Sequence, residues 1–462
     1  MLVVTGLLGL ALTMTPGVWF ADITEQAGIP PLRHGEGVNA VDINCDGFTD
    51  LYLPCVRDKG LLLKNVGDGH FEDVTKAVGL DEKGGVSAAV GDINGDTLPD
   101  LYIARGATPY VAPNLVYLQR RDGSFVDASF SAGVAEYSSG LGVILADFNN
   151  DGYRDAFLPG WGQNLFFMNN RQGGFVETSE ASGLTHAGRG WSSLTSDFDN
   201  DGHLDILATY GSYTEPHDNR LYRNIGDGTF VEITRTAGLA TSPWSLGAVS
   251  ADFDNDGDFD LYISGYSGAG KLYRNDGGAR FTDVSKASGL TAVKSVGATA
   301  GQIDADLLPD IVVGGFSGPA RVYKNLGDMK FTEVSTAGLR DFNRNEGLTL
   351  ADLDDDGDLD LYVSNLEGNN RLYENLLDDK RFLKVLFGCV KPALEGSVAR
   401  LSREGQLLAV QELSGAVGMG QGPQEFLFRL PDQGPFDLDL TLPDGRVITK
   451  RNLSPGTLKL NL

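Results

Sequence analysis

Nine-residue stretches of the form D-x-[DN]-x-D-G-x-x-D recur along this chain of 462 residues. They read DINCDGFTD from Asp42, DINGDTLPD from Asp92, DFNNDGYRD from Asp147, DFDNDGHLD from Asp197, DFDNDGDFD from Asp252 and DLDDDGDLD from Asp352. A degenerate copy, QIDADLLPD, begins at Gln302. Positions 1, 3, 5 and 9 carry oxygen donors, and glycine at position 6 permits a sharp turn. Carboxylates wrapped around one point repel unless a cation holds them, and several hard oxygens per site favour Ca2+. The expected ligands are Asp42, Asn44, Asp46 and Asp50 in loop one, Asp92, Asn94, Asp96 and Asp100 in loop two, and Asp147, Asn149, Asp151 and Asp155 in loop three. Loop four offers Asp197, Asp199, Asp201 and Asp205, loop five Asp252, Asp254, Asp256 and Asp260, and loop seven Asp352, Asp354, Asp356 and Asp360. An EF-hand would need Glu at position 12 and flanking helices. Position 12 of loop one is instead Leu53, and its flanks read as strands. Thr97 replaces the glycine of loop two, a mild defect. Loop six, Gln302 to Asp310, lacks the first carboxylate and has Leu307 at the turn. About six Ca2+ sites are therefore expected, with loop six weak or empty.

The elements that must hold these loops repeat with them. Loop starts are 50 or 55 residues apart. An alternating small and apolar run precedes each loop, such as GAVSA ahead of Asp252, and an apolar triplet such as LYI follows. Next come L-[YF]-x-N (Leu221 to Asn224, Leu272 to Asn275, Leu372 to Asn375), a G-D-G-type turn, F-x-x-V-[ST] (Phe71 to Thr75, Phe281 to Ser285) and A-G-L or S-G-L. That is four short strands per unit, with turn residues between them and no helical period. Seven units of this kind predict an all-β fold, a seven-bladed β-propeller. After repeat seven the pattern lapses at Phe382, but Phe20-Ala-Asp-Ile-Thr supplies the missing strand from the N-terminus. The expected closure pairs that strand with the last blade and removes the ring's open edges. The expected division is 1–18, a possible signal peptide or remnant; 19–380, the propeller; and 381–462, a small C-terminal β domain.

Composition narrows the function. The formal net charge is −26, with 37 Lys+Arg against 63 Asp+Glu. This argues against nucleic acid and anionic membranes, both of which need a basic surface. Hydrophobic residues make up 41%, enough for a sizeable core. Cys45, Cys55 and Cys389 are expected to be unpaired, since Cys45 and Cys55 lie at opposite ends of a strand, too far apart to bridge. The apolar run Leu2 to Leu12 is too short to span a membrane. Weak calcium loops suit millimolar extracellular calcium, so export is expected, with the mature chain not inserted in a membrane.

The seven loops and their strands, about Phe20 to Asn375, resemble the FG-GAP/VCBS type of calcium-loop propeller, also seen in integrin α-chain heads. The tail resembles the ASPIC/UnbV family, named for an acidic secreted cartilage protein and bacterial UnbV. The residues that carry this are RFLKVLF from Arg381, GSVARLSREGQ from Gly396, VQELSGAVGMGQGPQEFLFRL from Val410 and LPDGRVITKRNLSPGTLKL from Leu442. VKPALEGS departs from the family's usual Asn-Arg stretch. The resemblance implies an extracellular, calcium-binding protein, non-catalytic or of uncharacterised activity, and gives the tail no known active residues.

Loop length points to a second site. Both 55-residue repeats carry their insertion between strands two and three, RGATPYVAPN from Arg105 and YGSYTEPHDN from Tyr210. These lie on the face opposite the acidic loops. Trp161, Trp191 and Trp244 map there, with Tyr137, Arg189, Tyr210, Tyr213 and His217 near them. Aromatic rings beside polar groups suit glycan stacking or a protein hot spot, though such rings also serve as packing plugs. Adhesion, or binding of an extracellular protein or glycan, is the expected function. The alternative is a carbohydrate-active enzyme of lyase or dehydratase type, with His34, Glu36, Tyr137, Arg189 or His217 as acid–base candidates. Gly265 to Lys271 resembles a P-loop, but Leu272 follows the Lys and a strand replaces the helix, so it reads as a hairpin loop.

Overall fold

The computed structural model describes the chain except residues 1–2, 6–10, 14–18, 33–34, 81–83, 108–109, 136–139, 212–217, 240–244, 267, 291–293, 335–336, 342, 378–380, 389–393, 415–419 and 461. Among the described residues the repeats form seven antiparallel sheets of four strands, the fourth extended by one more. The first comprises Asn39–Val41, Asp50–Leu53, Leu61–Asn65 and Phe71–Asp73, in chain order from the inside outward. The seventh takes Asn345–Ala351, Asp360–Asn365 and Arg371–Asn375 from repeat seven, and its outermost strand is Phe20–Asp22. Phe20 lies opposite Asn375 and Asp22 opposite Tyr373.

Inner strands touch in sequence: Asn39–Val41, Ser87–Gly91, Ile144–Ala146, Ala187–Ser196, Ala248–Ala251, Ser295–Gly301 and Asn345–Ala351, with the last touching the first. Close approach explains their small residues. A Cβ on Gly297 would sit 2.3 Å from the Glu346 carbonyl of the next sheet. Between each pair of neighbouring sheets lies an apolar wedge; Leu51, Leu53 and Leu63 meet Leu353 and Leu372 between the first and seventh.

The Asn of L-[YF]-x-N ties the wedges together. Its side-chain N–H2 spans from its own loop to the previous sheet's loop. Asn224 donates to Leu204 O (3.0 Å) and to Phe148 O (2.9 Å). Asn275 donates likewise to Phe198, Asn325 to Phe253, Asn375 to Ile303 and Asn65 to Leu353. Gln119 replaces Asn in the second sheet and still reaches Ile43 O at 2.8 Å. Asn169 reaches Ile93 O at 2.9 Å, so every sheet is tied to its predecessor.

The tail forms two further sheets around its own core. One orders Glu425–Arg429, Phe382–Phe387 and Gly456–Leu460; the other orders Gln406–Glu412, Val398–Arg403, Phe436–Thr441 and Val447–Leu453. Val385, Leu401, Phe428 and Leu440 are fully buried between them.

The cysteine expectation needs correction. Cys45 is disulfide-bonded, while Cys55 is a buried thiol. The third cysteine, Cys389, lies outside the described residues. Separation within one strand excluded only the Cys45–Cys55 pairing; it said nothing of a partner distant in sequence.

Candidate metal loops and the face opposite them

Each acidic loop joins the first and second strands of its sheet. Position 6 takes a left-handed backbone, φ 95° at Gly47 and 88° at Gly152, which glycine adopts without strain. Thr97 and Leu307 adopt it too, at φ 72° and 70°. The position-1 carboxylate cradles the turn: Asp147 accepts the N–H of Asp151 (3.0 Å) and of Gly152 (2.6 Å). Loops one, two, four and five repeat that pair of bonds at Asp42, Asp92, Asp197 and Asp252.

The position-9 Asp is a strand staple. Asp50 accepts the N–H of Asn65 at 2.7 Å and of Ile43 at 3.1 Å, and it is fully buried. Burial pushes its carboxyl up to about 7, that of Asp100 to about 7, Asp155 to about 8 and Asp260 to about 9. Asp205, Asp310 and Asp360 are driven well above the usual range for the same reason. Because Asp310 of the degenerate loop shares this, position 9 alone does not report a metal.

Positions 1 and 3 are more telling. Asp199 Oδ1, Asp254 Oδ1 and Asp352 Oδ1 are buried and accept no hydrogen bond. Carboxylate oxygens of Asp197, Asp199 and Asp201 gather within 4.8 Å, as do those of Asp252, Asp254 and Asp260 and those of Asp352, Asp354 and Asp356. An all-oxygen set with stranded anionic lone pairs fits a hard divalent cation such as Ca2+. Loop six is built otherwise. Gln302 Nε2 donates to Leu307 O at 2.9 Å, and the Lys324 ammonium binds Asp304 and, at 2.8 Å, Asp306. An internal cation stands where a metal would.

The tail sits on this loop face. Arg154, at position 8 of loop three, donates twice to Glu395 Oε1, from Nε at 3.0 Å and Nη2 at 2.9 Å, with both side chains buried. Lys384 reaches Asp352 Oδ2 and Asp355 Oδ1, each at 3.0 Å, and Glu425 at 3.5 Å. The Arg429 guanidinium lies 3.3 Å from Asp358, and the backbone N–H of Arg429 donates to Gln302 Oε1 at 3.0 Å. The Asp197 N–H donates to Glu412 at 3.0 Å, and Asn255 Nδ2 to Leu408 O at 2.9 Å. Gln421 enters among the inner strands, where its carbonyl accepts the Ala40 N–H (3.0 Å) and its side chain that of Val90 (2.9 Å). None of these contacts was legible in the repeat pattern.

On the opposite face, the extra strand Trp161–Gln163 pairs with Ala187–Arg189, setting Trp161 across from Arg189. The Arg189 guanidinium lies 5.3 Å above the Trp161 ring. Trp161 and Trp191 meet edge-to-face at 6.1 Å, and Trp191 Nε1 donates to Gly211 O at 2.9 Å. All three side chains are half-buried. Tyr210 is a correction to the expected ligand face: it is fully buried and its hydroxyl donates to Asn164 Oδ1 at 2.8 Å. The second strand simply runs on to Tyr210, which turns that ring into the core. Tyr137, Tyr213, His217, Trp244 and His34 lie outside the described residues.

The FG-GAP-like repeat family model matches residues 42–103, 147–208, 197–263, 252–313 and 303–363, more than half of the chain. Human cartilage acidic protein 1 is 32% identical over 203 residues, covering 42% of this chain and 30% of that protein. The mouse protein is 29% identical over 264 residues, covering 53% of this chain and 40% of its own length. The matched region thus spans well under half of these relatives. An Agrocybe aegerita lectin that recognises non-reducing terminal N-acetylglucosamine superposes with a TM-score of 0.44 at 19% identity, over 74% of this chain and 94% of that chain. Saccharomyces cerevisiae Sqt1 gives 0.44 at 10% identity, over 95% and 98%. Neither likeness is close enough to bear on function.

Proposed function

Since the chain belongs to the FG-GAP-like repeat family, we propose that it is an exported, calcium-loaded, seven-bladed β-propeller, closed by its N-terminal strand, that binds an extracellular protein or glycan without turnover. The belt of Asn side chains, with Asn65 reaching Leu353 at 2.8 Å, supports the closed ring. Stranded carboxylate oxygens in loops four, five and seven support calcium. The Cys45 disulfide suits an oxidising compartment outside the cytosol. Among the described residues, no helix is long and apolar enough to cross a membrane.

One observation carries the choice of binding face. The chain's own tail, an ASPIC/UnbV-like domain in this reading, covers the loop face through Arg154–Glu395, Lys384–Asp352 and Arg429–Asp358. A partner is left the opposite face, where Trp161, Arg189 and Trp191 form a half-exposed aromatic and cationic group. Screening the full chain against arrayed glycans and matrix proteins, beside Trp161→Ala and Trp191→Ala, tests this. Binding lost in both variants supports it. Binding unchanged in both moves the site elsewhere, and turnover of a bound glycan would replace adhesion by the carbohydrate-active alternative.

A further inference from the structure

The residue just before the Asn of the third strand, or before Gln119 in the second sheet, sits in the same place in every sheet. That Asn gives its N–H to the position-9 Asp of its loop: Asn65 to Asp50 at 2.7 Å, Asn325 to Asp310 at 2.8 Å and Asn375 to Asp360 at 3.0 Å. This bond fixes the register, so the preceding side chain projects beside the loop. In the first, fourth and sixth sheets it is cationic and reaches the loop carboxylates, whereas Arg274 of the fifth sheet pairs with Asp276 outside its loop. Lys64 Nζ lies 3.1 Å from Asp46, and Arg223 Nη1 lies 4.0 Å from Asp199. Lys324 bridges Asp304 and Asp306. In the seventh sheet the same position is Glu374, which is buried. It directly precedes Asn375, whose N–H is bonded to Asp360 of that loop.

We propose that in loops one, four, six and seven this residue sets which cation the loop holds: Lys324 keeps loop six for its own ammonium, Lys64 and Arg223 compete with calcium, and Glu374 makes loop seven the tightest calcium site. The proposal rests on the calcium reading above. Calcium affinity in oxygen-ligand loops rises with the charge of the ligand set. A tethered ammonium subtracts from that charge and must be displaced before a metal can enter. Displacing Lys64 is easy, because it is 39% exposed and surface pairs are weak. Lys324 is harder to displace, because Gln302 has also removed the first carboxylate and tied itself to Leu307 O. In loop seven one oxygen of Asp352 is taken by Lys384, whose charge is answered by Glu425. The other oxygen, Oδ1, is buried and accepts no hydrogen bond, so it is available to an ion.

Calcium titration of the full chain by calorimetry, with a competing chelator to resolve tight sites, tests this. Glu374→Gln is expected to weaken the tightest ion by about tenfold. Lys64→Met, at an exposed side chain with no part in the core, is expected to tighten one weaker ion by roughly severalfold. Circular dichroism confirms folding of each variant, and Lys64→Met keeps the test alive should Glu374→Gln fail to fold. A parent chain that binds calcium while folded variants give its isotherm unchanged would overturn this inference alone. A parent chain that takes up no calcium would overturn the calcium reading itself.

Discussion

Arg154 and Glu395 lie 241 residues apart in sequence and form a buried ion pair between the repeat sheets and the tail. Arg154 crosses the inner strand of the second sheet to get there; a Cβ on Gly91 would sit 2.4 Å from Arg154 Cδ. Removing one partner of such a pair strands the other charge in a dry interior, which costs about 3–5 kcal/mol. Removing both leaves no orphan and costs far less. Arg154→Met and Glu395→Gln should therefore each destabilise by about 3 kcal/mol, while the double variant falls short of their sum by about 2 kcal/mol or more. At the tail, a 3 kcal/mol loss raises the open population by more than about 100-fold, since each 1.4 kcal/mol is tenfold. Hydrogen exchange reads this at Gly396, whose N–H is bonded to Leu413 O at 2.7 Å inside the tail. Gly91→Ala should reproduce part of the Arg154→Met effect by pushing the guanidinium off its path. Two near-neutral single variants, or a double variant equal to the sum of the singles, would refute the reasoning.

Other expectations follow from single contacts. Asn224→Ala strands the buried carbonyls of Phe148 and Leu204 and should cost about 2–4 kcal/mol in urea denaturation, since each unsatisfied buried acceptor costs about 1–3; a loss below about 0.5 kcal/mol would deny the belt its role. Burial pushes the Glu346 carboxyl up from 4.5 to about 7, so the fold favours its neutral form. The stability this gives is full below pH 4.5 and is lost as pH rises to about 7. Glu346→Gln should flatten the fall in melting temperature across that window, and an unchanged pH profile would count against it. In calcium, Asp254→Ala should lower the melting temperature more than Asp304→Ala, because Asp304 already holds Lys324; equal losses would mean that loop six holds a metal too.

The repeat was legible because every unit restates the same short-range needs. The acids, the turn glycine and the strand triplets all act within one sheet, and even the displaced strand at Phe20 could be matched to its pattern. The Asn of L-[YF]-x-N was visible as a motif, but its purpose was not. Its second acceptor lies 72 to 77 residues back, or 288 onward for Asn65. Lys324 was open to the same comparison, as a lysine at a fixed offset from a failing loop. The tail contacts were illegible for a different reason. Arg154 stands at position 8 of its loop, where no other copy carries a charge, Lys384 and Gln421 lie beyond the repeats, and their partners are set by how two folded units meet. Tyr210 was misplaced because a strand end and an insertion begin at one residue, and composition does not say which claims it.

The most direct test of the account is the melting temperature of the full chain in millimolar calcium against the same buffer with excess chelator. An ion present at 100 times its dissociation constant adds about 2.7 kcal/mol to the fold that binds it. With several loops loaded, chelation should lower the melting temperature by roughly 10 °C or more. Identical melting curves in the two buffers would contradict the account at its centre.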